Sequence, residues 1–251
     1  MTRLHPSAAI GFSSAADVYE RARPSYPQVA IDWLVEHTGL APGKTVVDLG
    51  AGTGKLTRLL VPSGARVVAV EPIPEMRAHI EGAEVLDGTA ESIPLPGASA
   101  DIVTVAQAFH WFDHDRAIPE IHRVLRDGGQ LVLVWNMRDL DDPVQRGVED
   151  LLEPLRAEGP GALMGSWRRP LEHSPLFGPA VVQRFDYEQR YTTDELCERV
   201  SSTSYVAALD PVDREELLVR VRALTHGLDE PFPFPYRTEV EVIPRTSDRA
   251  V

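Results

Sequence analysis

Residues 45–54 constrain the fold of this chain more than any other stretch. Thr45-Val-Val-Asp-Leu49 is a short apolar run of strand-forming residues, and it breaks at once into Gly50-Ala-Gly-Thr-Gly54. Lys55 then opens a helical pattern that reaches Val61. A buried strand that enters a helix through so tight a turn needs glycine. A Cβ would hinder both the left-handed backbone and the close packing of helix on strand. Three ligand-binding readings of such a turn compete, and two fail on spacing. A P-loop needs glycine five residues before the Gly-Lys pair and Ser or Thr after it, but those places hold Leu49 and Leu56. A dinucleotide fingerprint, Gly-x-Gly-x-x-Gly, needs its third glycine where Lys55 stands. The compact Asp-x-Gly-x-Gly-x-Gly form headed by Asp48 remains. It suits a ligand without pyrophosphate whose amino-acid part lies against the turn.

The same rhythm continues down the chain. Residues 66–70, 83–86, 101–106 and 130–135 read as further strands. Residues 73–80 and 115–125 read as helices, the second closed by Asp127-Gly-Gly129. Pro119 falls inside that second pattern, so the helix is expected either to start near Ile118 or to kink. Strands that are apolar throughout and alternate with helices indicate a parallel sheet covered on both faces. Helices over residues 17–23 and 28–40 precede the first strand. After Asn136 the rhythm breaks, and residues 139–178, with several Pro and Gly, read as an insertion or cap over the sheet. Residues 181–191 read as a strand, 193–209 and 213–226 as helices. Residues 236–243 alternate polar and apolar side chains as a last, half-exposed strand would. The expectation is an α/β fold in one domain over residues 1–251, a Rossmann-like three-layer sandwich.

In such sheets the ligand crevice lies at the carboxyl ends of the strands. Glu71 ends the second strand roughly 20 residues beyond the first glycine, where a carboxylate can accept from both hydroxyls of a ribose. Asp87-Gly-Thr-Ala-Glu91 follows the third strand and can bracket a base. Gln107-Ala-Phe-His-Trp-Phe112 follows the fourth. His110 has two readings, a base or substrate partner and a satisfied structural histidine. His110 and His114 find no third ligand nearby, so no metal is expected.

The formal charge of −13 repels phosphate backbones. Arg184, Arg190 and Arg199 are too scattered to build a basic groove, so a nucleic-acid partner is not expected. The one cysteine, Cys197, forbids an internal disulfide and reads as a small buried residue. No apolar run has the length of a signal peptide's core or of a bilayer span, which makes the cytoplasm the expected compartment.

Taken in order and in frame, these stretches resemble the class I S-adenosylmethionine (SAM)-dependent methyltransferases. They are most similar to the small-molecule branch that includes trans-aconitate and ubiquinone/menaquinone-type enzymes. The resemblance rests on Phe12, Tyr19-Glu-Arg-Ala-Arg-Pro-Ser-Tyr-Pro27, the glycine turn, Glu71-Pro72, Thr89-Ala-Glu91 with Ile93-Pro94, residues 107–112, and Arg123-Val-Leu-Arg-Asp-Gly-Gly129. It covers roughly the first half of the chain.

The resemblance implies a mostly parallel, seven-stranded sheet. It implies SAM as cofactor, S-adenosylhomocysteine as product, and a small-molecule acceptor methylated by in-line displacement. Asp48, Gly50, Ala51, Gly52, Thr53 and Gly54 would hold the methionine part, and Glu71 with Pro72 the ribose. Thr89, Ala90 and Glu91 would meet the adenine. The family often carries Asp directly before the Ala-Glu pair; here Thr89 stands there, so the backbone of Ala90 or the nearby Asp87 would take that part. Gln107, Ala108 and Arg23 complete the cofactor set, Arg23 by pairing with a carboxylate. Tyr26, His110, Trp111 and Trp167 would contact the acceptor, and His110 and Tyr19 are the catalytic candidates. Residues 8–40 would form a helical lid. Two rivals share the sheet. One is a silent SAM-binding module, and the other is a nucleotide-dependent oxidoreductase, which Lys55 opposes.

Overall fold

The computed structural model describes residues 24–156 and 168–247 of the chain. Five strands carry the parallel part of the sheet: β1 (Thr45–Leu49), β2 (Arg66–Val70), β3 (Glu84–Leu86), β4 (Ala100–Ala106) and β5 (Leu125–Arg138). β1 is buried along its whole length, as an apolar strand covered on both faces must be. Two later strands, β6 (Val181–Tyr191) and β7 (Phe232–Pro244), complete a seven-stranded sheet in the order β3-β2-β1-β4-β5-β7-β6. β7 runs antiparallel to both neighbours, so the sheet is mostly parallel, as expected. The strand order reverses between β1 and β4, which opens a crevice at their carboxyl ends.

Helices cover both faces. On one, α1 (Gln28–Thr38) and α2 (Lys55–Leu60) bury Ile31, Leu34, Leu56 and Leu60 against Val46, Val132, Val134 and Val240. α3 (Pro74–Arg77) is a single turn where the sequence predicts residues 73–80. On the other face, α4 (His114–Val124) and, after α5 (Pro143–Arg156), the short α6 (Arg168–Glu172) bury Ile118, Ile121 and Leu171 against Val103, Leu131, Leu133 and Trp135. A third core has its own helices. β6 and β7 run on past Arg138, the last residue of β5, which pairs with Tyr236. Over this overhang lie α5, α7 (Thr193–Ser201), α8 (Ser204–Ala207) and α9 (Pro211–Leu224), with Val148, Leu152, Leu196, Val221, Phe232, Phe234 and Tyr236 buried between them. The C-terminal half therefore builds a wall at the crevice end of the sheet. No helix among the described residues is long and apolar enough to cross a membrane.

Several expectations are corrected. α4 begins at His114 and runs through Pro119, so it does not start near Ile118. The proline removes one amide donor, and burial of Ala117, Ile118, Ile121 and Val124 offsets that loss. Asp127-Gly-Gly129 does not close this helix from outside but lies within β5. Between the pairs Ala100–Leu125 and Ile102–Gln130 the register slips, with Gly128 left-handed, so the extra residues are taken up as a bulge. The alternation expected in β7 holds only up to Arg237. From Thr238 to Ile243 every residue is buried, including Glu239 and Glu241. Their carboxylates are neutralised by Arg168, which meets both, and by Arg184 on β6, which meets Glu239. Residues 193–209, predicted as one helix, divide into α7 and α8.

Candidate functional site

The three glycines of the turn are all left-handed, but they serve different neighbours. A Cβ on Gly50 would stand 2.9 Å from the Cβ of Ala108, so the exit of β4 presses on the turn there. A Cβ on Gly54 would stand 3.2 Å from Ile80. A Cβ on Gly52 would meet only the Met76 sulfur, at 3.9 Å. Gly52 thus faces space that the described residues do not fill.

Two buried carboxylates hold this turn in place. Asp48 accepts from the Thr57 hydroxyl on α2 at 2.6 Å and from the Thr104 hydroxyl on β4 at 3.1 Å. Burial raises its pKa to about 6, against the lowering effect of those bonds. It joins three elements from beneath the turn. Glu71 sits at the end of β2, with Oε2 accepting from the Gly52 amide and Oε1 from the Ile73 amide, each at 2.9 Å. Burial pushes the Glu71 carboxyl up, and its two backbone bonds and Arg77 oppose the rise. Each oxygen keeps a lone pair for a further donor. Arg77 donates to the Glu71 carbonyl at 2.7 Å and to Asp87 at 2.9 Å, closing the chain around Pro72.

The loop after β3 shows a division of labour. Asp87 is largely exposed and paired with Arg77. The Thr89 hydroxyl is buried and meets no hydrogen-bond partner among the described residues, and Ala90 is buried beside it. Glu91 turns to the start of α4, where it accepts from the Asp113 amide at 3.0 Å. Across the crevice, Gln107 leaves β4 with φ +57°, a conformation rare outside glycine. Its amide donates to the Val134 carbonyl at 3.0 Å. His110 lies on the short 3-10 turn Phe109–Trp111, its ring 5.0 Å from Trp111 and 5.5 Å from Trp135. His114 turns away to stack on Phe109 and meet the Phe109 carbonyl. Among the described residues, no three His, Cys, Asp or Glu side chains are gathered as a metal would require.

Asp48 therefore lies near the carboxyl end of β1, and residues 50–54, Glu71, Thr89, Ala90, Gln107, Ala108 and His110 follow the carboxyl ends of β1 to β4. Tyr26 is instead packed in the core with Ala30, Ile31 and Leu34. Tyr19, Arg23 and Trp167 lie outside the described residues, as does the part of the lid, expected over residues 8–40, that precedes residue 24; the rest of that stretch carries α1, which packs in the core. Sequence reasoning missed Trp135 and Asn136. The signal was present, since the predicted fifth strand ended at Trp135 and the rhythm broke after Asn136, but only the sheet order shows that strand end beside the loop after β4. Cys197 is buried, and burial raises its thiol pKa.

A family model for a methyltransferase domain matches residues 47–133. Over 204 residues the chain is 34% identical to an uncharacterized methyltransferase-like protein of Schizosaccharomyces pombe, covering 79% of each. Over 143 residues it is 56% identical to an uncharacterized methyltransferase of Mycobacterium tuberculosis, covering 55% of this chain and 57% of that relative's length. The chain thus spans little more than half of this second relative. Among solved structures, a protein assigned as a type II methyltransferase from Anaeromyxobacter dehalogenans superposes with a TM-score of 0.66 at 25% identity, covering 89% of this chain and 97% of that one.

Proposed function

The chain belongs to the class I SAM-dependent methyltransferases, and from that membership we propose that it transfers the methyl group of SAM to a small-molecule acceptor, leaving S-adenosylhomocysteine. One observation carries the cofactor part of this reading. Gly52 is left-handed, faces space that the described residues leave open, and has its amide held by the buried carboxylate of Glu71. That is a cradle which a Cβ would spoil, next to an acceptor with lone pairs to spare.

The residues present suit the chemistry of that cofactor. The backbone of residues 50–54 would take the methionine part, Glu71 the two ribose hydroxyls, and the buried Thr89 hydroxyl with Ala90 the adenine edge. When bound, SAM supplies a methyl already activated on a sulfonium sulfur. The protein's part is then positioning and exclusion of water. Gln107 and Ala108 set the loop that faces the turn. Trp111 and Trp135 flank His110 and shield it, so its imidazole can take a proton from an acceptor that must lose one. The acidic chain favours a small molecule over nucleic acid, and the cytoplasm is the proposed compartment.

Titration calorimetry with SAM and S-adenosylhomocysteine tests the reading. Micromolar binding is expected, on the order of −8 kcal/mol. Glu71→Ala should weaken it by roughly 1.5–3 kcal/mol, the range for hydrogen bonds to a charged group. No heat with either ligand on folded protein would refute it.

A further inference from the structure

Three polar contacts meet at Asn136, near the carboxyl end of β5. Its Nδ2 donates to the Ser25 carbonyl at 3.0 Å, where the chain approaches α1. Its Oδ1 accepts from the hydroxyl of Thr238 at 2.6 Å, its register partner on β7. Its own carbonyl accepts from Gln107 Nε2 at 3.4 Å. Thr238 is fully buried, so one side of the asparagine is fixed by the sheet interior. The side-chain amide nitrogen then holds Ser25, and the main-chain carbonyl of the same residue holds Gln107.

Gln107 gives this arrangement its consequence. A non-glycine residue at φ +57° does not stay there without support. Its support comes from β5, through the Val134 carbonyl on the backbone and the Asn136 carbonyl on the side chain. The next residue, Ala108, is the one against which Gly50 is packed. A continuous physical path therefore runs from Asn136 through Gln107 and Ala108 to the first glycine of the turn. We propose that Asn136 is a positioning residue: locked between Thr238 and Ser25, it holds Gln107 and Ala108 against the glycine turn and so sets the shape of the cofactor cradle without touching the cofactor. The proposal rests on the SAM reading above.

The test measures S-adenosylhomocysteine affinity and melting temperature side by side on the full chain and its variants. Asn136→Ala removes both side-chain bonds. Asn136→Asp keeps an acceptor for Thr238 and loses the donor to Ser25. Gln107→Gly tolerates the left-handed backbone but cuts the side-chain link to Asn136. Both Asn136 variants should weaken the ligand about five-fold or more. In a Gln107→Gly background the effect of Asn136→Ala should shrink below about two-fold, because the path is already cut. Unchanged affinity in both Asn136 variants, even with a lower melting temperature, makes the residue merely structural and overturns the proposal. A full-sized effect of Asn136→Ala in the Gln107→Gly background overturns it equally. Should Asn136→Ala not fold, the affinity of Asn136→Asp decides alone. Failure of the unsubstituted protein to bind overturns the SAM reading itself and is seen before any substitution is made.

Discussion

Gly50 and Gly52 share a backbone conformation, so what separates them is their surroundings. Alanine at either carries the penalty of a left-handed Cβ, roughly 1–2 kcal/mol. At Gly50 it also drives into Ala108, while at Gly52 it enters space that the described residues leave open. Gly52→Ala should therefore cost about 1–2 kcal/mol of stability, and Gly50→Ala clearly more. Ligand affinity should move the other way, with Gly52→Ala losing most of its S-adenosylhomocysteine binding for a modest loss of fold. Urea unfolding and calorimetry on the two variants would show the split; equal binding losses per unit of stability would contradict it. Asp48 has a different signature. Its folded pKa is about 6 against an ordinary 3.8, so the folded state holds the proton more tightly than the unfolded one. Its contribution is fully present below the unfolded value and is lost as pH rises to the folded one. Between about pH 4.5 and 7.5 this amounts to about 2 kcal/mol. Asn fits the same site, since both threonine hydroxyls can donate or accept. Asp48→Asn should flatten the stability curve across that window by about this amount, measured as urea-unfolding free energy. At this scale the glycines and Glu71 were legible because backbone strain and spacing leave marks in a sequence. That Glu71 clamps the Gly52 amide, or that Gln107 is left-handed, was not, since both depend on how strands far apart in the chain are set side by side.

At the scale of elements, the apolar runs of β1, β2 and β4 announced themselves, and β7 misled. Glu239 and Glu241 read as outward-facing alternation, yet both are buried, because Arg168 of α6 and Arg184 of β6 neutralise them. A period-of-two pattern reports the pleat and not which face is covered. The buried pair ties α6 to β7 through Arg168, beside the packing of Leu171. Arg168→Met would leave Glu241 without its guanidinium and Glu239 with Arg184 alone. Because Arg168 is itself partly exposed, the expected loss is discounted to roughly 2–3 kcal/mol from the range for a broken buried pair. Adding Glu241→Gln to Arg168→Met should restore much of it, since the uncompensated charge then disappears. Urea midpoints for the single and double variants test this, and a double variant no more stable than the single would locate the loss in packing instead.

At the scale of the molecule, the residues that carry the family resemblance do not make a self-sufficient unit. The pattern recognisable in sequence ends near Asn136, but the chain returns in β7 to lie along β5 from Gln130 to Arg138. Val240 and Val242 complete the core under α1, and Ile243 completes the core under α4. Each cofactor-facing loop thus sits on a sheet whose centre is finished by the last strand. Strand order is a property of pairing, and no local pattern in the first half announces that its edge will be covered from the far end of the chain. A fragment of residues 24–138 should therefore expose a long, flat, apolar β5 edge and leave both main cores open on one side. It is expected to show no cooperative urea transition and no measurable heat with S-adenosylhomocysteine, although every described loop residue proposed to touch the cofactor is present. Circular dichroism through a urea series, with calorimetry on the same sample, would show this. A sharp transition with retained binding would mean that the C-terminal half is an addition to a finished domain rather than the strand that finishes it.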